Sequence, residues 1–208
     1  MFQRLLFLGL LLVLQGVVLA APGPGRQALD EFLEDLSTLQ AKFEQSVLDT
    51  ENATAGQMHG LFLLDRPGRF RWDYVVPRKQ IILADGRDVW IIEEDLKQVT
   101  RHYQKWALKG TPAAFLATDA AVEDDFEIVE IGERQGMQWL ELIPRDPESD
   151  FNRILLAFAD KQLLRLELND KFGQISRFSF YEMHRNLPID PQLFVYEGQD
   201  DWDVMQGD

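Results

Sequence analysis

Between Phe43 and Tyr196, turn signals cut the chain into short apolar stretches, and this spacing is what most limits its fold. The signals are Pro67-Gly68, Asp85-Gly86, the run from Gly132 to Gly136, Asp160-Lys161, and Asn169-Asp170 with Gly173. Candidate strands lie near Phe43–Leu48, Gln57–Leu64, Arg69–Val75, Gln80–Ala84, Asp88–Ile92 and Lys97–Tyr103. Others lie near Phe126–Ile131, Met137–Ile143, Arg153–Ala159, Gln162–Leu168, Gly173–Tyr181 and Leu193–Tyr196. Short strands joined by tight turns pair with their chain neighbours. The expected fold is therefore mainly β, an antiparallel meander of about eleven strands that forms either a closed barrel or a strongly curved open sheet.

One strand carries more information than the rest. After the Pro67-Gly68 turn, Phe70, Trp72 and Tyr74 share one face, while Arg69, Arg71 and Asp73 share the other. The aromatics either complete an ordinary half-buried strand or line an apolar cavity. Phe62, Leu64, Trp90, Trp139, Leu156, Phe158, Phe178 and Phe180 are expected on the same inward side. Such a face must be buried against something.

Two helices are expected to cover it. In the first, Leu29, Phe32, Leu33, Leu36 and Leu39 recur at three- and four-residue spacing. The second spans Thr111 to Thr118, with Thr111 as capping residue and Pro112 at the first helical position. Two short helices do not densely fill the concavity of so long a sheet, which hints at a ligand cavity.

The first 20 residues read as a cleaved secretory signal: Arg4, an apolar run from Leu5 to Leu14, and Val18-Leu19-Ala20 at the cleavage site. Cleavage after residue 20 of 208 leaves 188 residues, read as one domain over 21–208. The chain has no cysteine, so neither disulfides nor a lipidated N-terminal thiol are available. A net charge of −14 argues against nucleic acid as a partner.

Chemistry is sparse. There is no G-x-S-x-G elbow, no Gly-rich phosphate loop and no zinc spacing. His59, His102 and His184 stand far apart. No catalytic residue, metal or cofactor is expected, and an enzyme acting on lipids lacks its nucleophile motif.

A series of short motifs then gives the chain a likeness. In order they are Phe43-Glu44-Gln45, Gly60-Leu61-Phe62, Arg66-Pro67-Gly68-Arg69-Phe70-Arg71-Trp72, and Ala84-Asp85-Gly86 with Val89-Trp90. Asp95-Leu96-Lys97-Gln98-Val99-Thr100, Thr111-Pro112-Ala113-Ala114-Phe115-Leu116, Phe172-Gly173-Gln174 and Leu193-Phe194-Val195 follow. Across essentially the whole mature length the chain resembles the periplasmic outer-membrane lipoprotein carrier family, LolA.

The resemblance implies an incomplete, unclosed barrel with a lid of short helices. It implies a periplasmic carrier that accepts acylated lipoproteins from an inner-membrane lipoprotein-releasing ABC transporter and delivers them to an outer-membrane receptor. The expected acyl-chain cavity is formed by Phe62, Phe70, Trp72, Tyr74, Trp90, Phe178 and Phe180. Leu29, Phe32, Leu33, Leu36, Phe115 and Leu116 are expected on lid helices, with Arg66 as the latch that holds the empty cavity closed. A monomer is expected.

A second reading is a periplasmic sensor of lipids or lipoproteins on the same half-barrel. Sensors of that kind usually carry an additional domain. Glu123-Asp124-Asp125, the Arg145-Asp146-Pro147-Glu148 loop and the basic outer face of Arg69 and Arg71 fall outside the family pattern.

Overall fold

The computed structural model describes residues 22–51, 53–199 and 201–207, so the expected signal segment lies outside the described residues. Twelve strands form one sheet. They are β1 (Thr38–Leu48), β2 (Thr54–Asp65), β3 (Arg69–Val76), β4 (Gln80–Asp85), β5 (Asp88–Glu93) and β6 (Gln98–Tyr103). The second half supplies β7 (Phe126–Arg134), β8 (Met137–Pro144), β9 (Phe151–Ala159), β10 (Gln162–Asp170), β11 (Ile175–Arg185) and β12 (Asp203–Gln206).

Their order across the sheet is β12-β6-β5-β4-β3-β2-β1-β11-β10-β9-β8-β7. The pairings are antiparallel except that of β12, which lies parallel to β6. β7 and β12 end the sheet without pairing to each other, so the barrel is unclosed.

The period-two pattern decides which side chains face inward. One cross-strand row runs Phe62, Trp72, Ile82, Ile91, and another runs Phe178, Leu166, Leu156, Leu140. Where β1, β2, β3 and β11 meet, Phe43 is fully buried among aromatic rings. Its ring centre lies 5.3 Å from Trp72, 5.1 Å from Tyr74 and 6.1 Å from Phe178. Aromatic pairs at such spacing and tilt add to simple burial.

Gly60 makes this cluster possible. A Cβ there would land on the Asp73 carbonyl oxygen and 2.6 Å from the Phe43 ring. Gly60→Val is expected to cost about 1–3 kcal/mol through overpacking, measured as a lowered urea midpoint.

The first helix, α1 (Pro24–Leu33), is shorter than its periodicity suggests. Asp35 takes φ 52° and turns the chain out of the helix. Leu36 therefore lies in the connection, and Leu39 belongs to β1. Both ends of α1 are pinned. The Glu130 carboxylate accepts from the N–H groups of Gly25 (2.9 Å) and Arg26 (2.8 Å), where the helix dipole favours negative charge. At the other end the Arg185 guanidinium donates to the carbonyls of Phe32 and Glu34, each at 2.9 Å. The helix lies on β7, β8 and β9 and buries Leu29 and Phe32 completely.

Three short helices follow β6: α2 (Gln104–Ala107), α3 (Pro112–Ala117) and α4 (Val122–Asp125). Pro112 opens α3 and Thr111 stands at its N-cap position as expected, but the Thr111 side chain makes no capping hydrogen bond. Its hydroxyl donates backwards to the Leu108 carbonyl at 2.8 Å instead.

The C-terminal segment departs most from expectation. Leu193–Tyr196 is not a strand: Pro191–Phe194 forms a 3-10 turn, with the Asp190 carboxylate accepting from the Gln192 N–H. That segment crosses the outer face of β3 and β4. Arg71 donates to the Leu193 carbonyl at 3.0 Å and pairs with Asp73 at 2.7 Å. Arg69 lies 5.8 Å over the Phe194 ring and pairs with Asp65 at 2.5 Å. The basic outer face of the aromatic strand thus holds the chain's own tail.

The other segments outside the family pattern also find partners within the fold. Glu123 in α4 pairs with Arg26, and its carbonyl accepts from Arg145 at 3.0 Å. Asp146 pairs with Lys109 at 2.6 Å.

Candidate functional site

Between the concave face of β2–β6 and the α2–α3 segment lies a cavity of about 410 Å³, within the range of ligand pockets. Its sheet wall is Phe62, Leu64, Phe70, Trp72, Tyr74, Ile82, Val89, Ile91 and His102. Phe151, Leu166, Leu168 and Phe178 reach it from β9, β10 and β11. Its roof is Ala107, Leu108, Thr111, Pro112, Ala113, Leu116 and Ala117. Two short helices leave this space open because they span only part of the concavity, the rest being covered by α1. Burial pushes the Tyr74 phenol well above its usual pKa, so this wall residue stays neutral at all ordinary pH.

Five expected cavity residues meet here: Phe62, Phe70, Trp72, Tyr74 and Phe178. Phe180 lies one layer behind, packed on Trp72 at 6.1 Å, on Phe62 at 6.3 Å and on Phe178 at 6.4 Å.

Trp90 is on the wrong side. It continues the outward row Arg71, Leu83, Trp90, Arg101, and its indole stacks on Tyr196 at 4.6 Å with Arg101 over it at 5.4 Å. Its neighbours Val89 and Ile91 are the inward residues of β5. Of the expected lid residues, Leu116 lines the cavity. Phe115 turns away to meet Phe126 edge-on at 6.0 Å. Leu29, Phe32 and Leu33, on α1 over β7–β9, and Leu36, in the connection after it, do not line the cavity; Leu29, Phe32 and Leu36 belong to the core and Leu33 packs against it.

The turn between β2 and β3 grips the roof. Arg66 is nearly buried, and its guanidinium reaches two separate segments. Nη1 donates to the Leu36 carbonyl, just past α1, at 3.4 Å. Nη2 donates to the Thr118 carbonyl at the end of α3, and to the Asp119 carboxylate at 2.9 Å. The backbone repeats the connection: Arg66 N–H donates to Ser37 O at 2.8 Å, and Gly68 N–H to Ala117 O at 2.6 Å. Arginine suits this position because one planar group offers several donors and keeps its charge.

Beyond Leu64, sequence reading missed the aliphatic part of the sheet wall. Ile82 and Ile91 carried a usable signal, since they stand opposite Trp72 and each other once the hairpin registers are drawn. Gln104 was also missed. It is buried between the Gly68 and Gly86 turns, accepting from Gly86 N–H at 3.0 Å and donating to Gly68 O at 2.7 Å.

Asp85 braces the Gly86 turn. Burial alone would push its carboxyl up, but the N–H groups of Asp88 and Arg87, the Trp90 indole and the Arg101 charge hold it below the usual carboxylate range. A folded-state pKa below the unfolded one stabilises the fold above about pH 4, and that stabilisation is lost as pH falls through the folded value. Asp85→Asn is therefore expected to lower stability at pH 7. The gap to wild type should close in acid, read from urea midpoints at pH 7 and pH 3.

Among the described residues no three His, Cys, Asp or Glu side chains stand close enough to hold a metal ion. Nor is any described helix long and apolar enough to cross a membrane.

Comparison with known proteins agrees with the geometry. The model of the family described as "Outer membrane lipoprotein carrier protein LolA" matches residues 34–197. An outer-membrane lipoprotein carrier protein of Methylococcus capsulatus is 38% identical over 178 residues, covering 86% of each chain. One from Nitrosomonas europaea is 37% identical over 206 residues, 98% of each. Among solved structures, an uncharacterized conserved protein from Thermus thermophilus shares the fold, with TM-score 0.58 and 14% identity over 88% of this chain and 98% of that one.

Proposed function

The chain belongs to the LolA family of outer-membrane lipoprotein carrier proteins, and from that premise we propose how this molecule carries its cargo. It binds the acyl chains of lipoproteins in the cavity between β2–β6 and the α2–α3 lid. The observation that supports this most is the wall itself, built almost wholly of aromatic and aliphatic side chains and roofed by a segment held through hydrogen bonds. Each buried methylene is worth about 0.8 kcal/mol, so exposing one long acyl chain to water costs on the order of 10 kcal/mol. A soluble carrier must offer that much apolar surface, and this cavity offers a wall suited to it.

Arg66 is the latch. With the cavity empty, its bonds to Thr118, Asp119 and Leu36 hold the lid down. Cargo entry breaks them, and their re-formation favours emptying. The work is transfer without covalent chemistry, which fits a wall without a nucleophile motif. The carrier operates in the periplasm after removal of residues 1–20, takes lipoproteins from an inner-membrane ABC transporter and passes them to an outer-membrane receptor.

Incubation with inner-membrane vesicles loaded with lipoprotein tests this reading. The protein is expected to bring lipoprotein into the soluble phase as an equimolar complex when ATP is supplied. Lipoprotein that stays in the pellet at every protein concentration would refute it.

A further inference from the structure

Both ends of the lid converge on one residue of the β2–β3 turn, Gly68. At the far end its N–H donates to Ala117 O at 2.6 Å. At the near end its carbonyl accepts from the Gln104 side chain at 2.7 Å. The oxygen of the same amide accepts from Gly86 N–H at 3.0 Å, and the Gln104 backbone N–H donates to Arg87 O at 3.0 Å. Gln104 is 7% exposed and is the first residue of α2.

The two turns it joins are built to let it in. Gly68 and Gly86 hold φ 84° and 99°, which favours glycine, and a Cβ on Gly68 would stand 3.4 Å from the Gly86 Cα. The site asks for an amide. Its oxygen meets an N–H, and its nitrogen meets a carbonyl. An apolar side chain would leave two backbone groups without partners, and an ionised carboxylate would set a lone pair against the Gly68 carbonyl.

We propose that Gln104 is a positioning residue for the lid. It fixes the root of the α2–α3 segment to the Gly68 and Gly86 turns, so the Arg66 end swings about an anchored post and recloses in register. This rests on the lid reading proposed above.

The test compares full-length mature wild type, Gln104→Ala, Gln104→Glu and Arg66→Leu, each cargo-free. It reads binding of the apolar fluorophore ANS from pH 5 to pH 8 beside the thermal midpoint. Gln104→Ala is expected to bind ANS about tenfold more tightly at every pH, one lost hydrogen-bond pair converted at 1.4 kcal/mol per tenfold.

Gln104→Glu is expected to match wild type at pH 5 and Gln104→Ala at pH 8. A protonated carboxyl can donate to Gly68 O and accept from Gly86 N–H, and burial facing a carbonyl raises its pKa. The charged groups facing that position are Asp85 and Arg87 from the β4–β5 turn, Lys105 and Lys109 from the lid, and Asp125 from α4. Arg66 and Asp119 lie at the far end, and His102 is on β6. Wild type carries the same groups, so its profile is the baseline.

ANS binding by both Gln104 variants within twofold of wild type, with Arg66→Leu open, overturns the role of Gln104 and leaves the lid intact. Arg66→Leu equal to wild type overturns the lid reading itself. Raised ANS binding by Gln104→Glu without recovery at pH 5 marks mere loss of stability, and also overturns the proposal.

Discussion

Arg66→Leu is expected to load with lipoprotein as well as wild type and to hand it on about 10- to 100-fold more slowly. The substitution removes the side-chain bonds to Leu36, Thr118 and Asp119 while leaving the Gly68–Ala117 backbone bond in place. Hydrogen bonds to charged groups are worth about 1.5–3 kcal/mol, and each 1.4 kcal/mol changes an equilibrium tenfold. Under the latch proposed above, those bonds are made only with the lid down, so their loss weakens the closed, empty state and spares the loaded one. A ligand or latch shifts a two-state equilibrium only by its differential affinity for the states. Transfer of radiolabelled lipoprotein from the purified complex to receptor-bearing outer-membrane vesicles measures the effect. Unimpaired transfer would remove Arg66 from the mechanism.

Phe70→Glu is expected to weaken cargo binding by at least about tenfold at pH 8, with partial recovery at pH 5. Phe70 is 4% exposed and forms part of the cavity wall. An ionised carboxylate there is costly against hydrocarbon, and the group lowers that cost by taking up a proton, so its pKa rises. The sign follows: binding is better where the carboxyl is neutral, below its raised pKa, and worse above it. Because Phe70 is also core, Ile82→Asp is the companion variant. Ile82 is less buried than Phe70 and lines the same wall, so its cargo defect is expected with a smaller loss of thermal stability.

The residues that were legible and those that were not differ for physical reasons. β3 could be oriented because Phe70, Trp72 and Tyr74 alternate with Arg69, Arg71 and Asp73, and alternation assigns faces. β5 could not, because Val89-Trp90-Ile91-Ile92 is apolar without a break. A continuous apolar run marks a strand covered on both faces. Here the second cover is the C-terminal segment, with Tyr196 stacked on Trp90, and no local pattern announces it.

The same lack of a long-range signal explains α1. Its periodicity shows an amphipathic helix but not which strands lie under it. That depends on Glu130 and Arg185, each more than a hundred residues away in sequence. The motif from Arg66 to Trp72 was readable because the residue expected as latch and the aromatics expected in the wall lie on one turn and one strand. Gln104 was invisible for the opposite reason. A lone glutamine becomes informative only when two turns distant in sequence close around it.

Which face of the sheet the acyl chains touch decides the carrier mechanism. Photoreactive residues placed singly at Ile82, on the cavity wall, and at Trp90, on the outer face of the neighbouring strand, would be irradiated in complex with acylated lipoprotein. Crosslinks from position 82 and none from position 90, lost when the lipoprotein's acyl chains are absent, are the expected result. Crosslinks from position 90 with none from position 82, or crosslinking at position 82 that persists without acyl chains, would contradict the cavity as the cargo site.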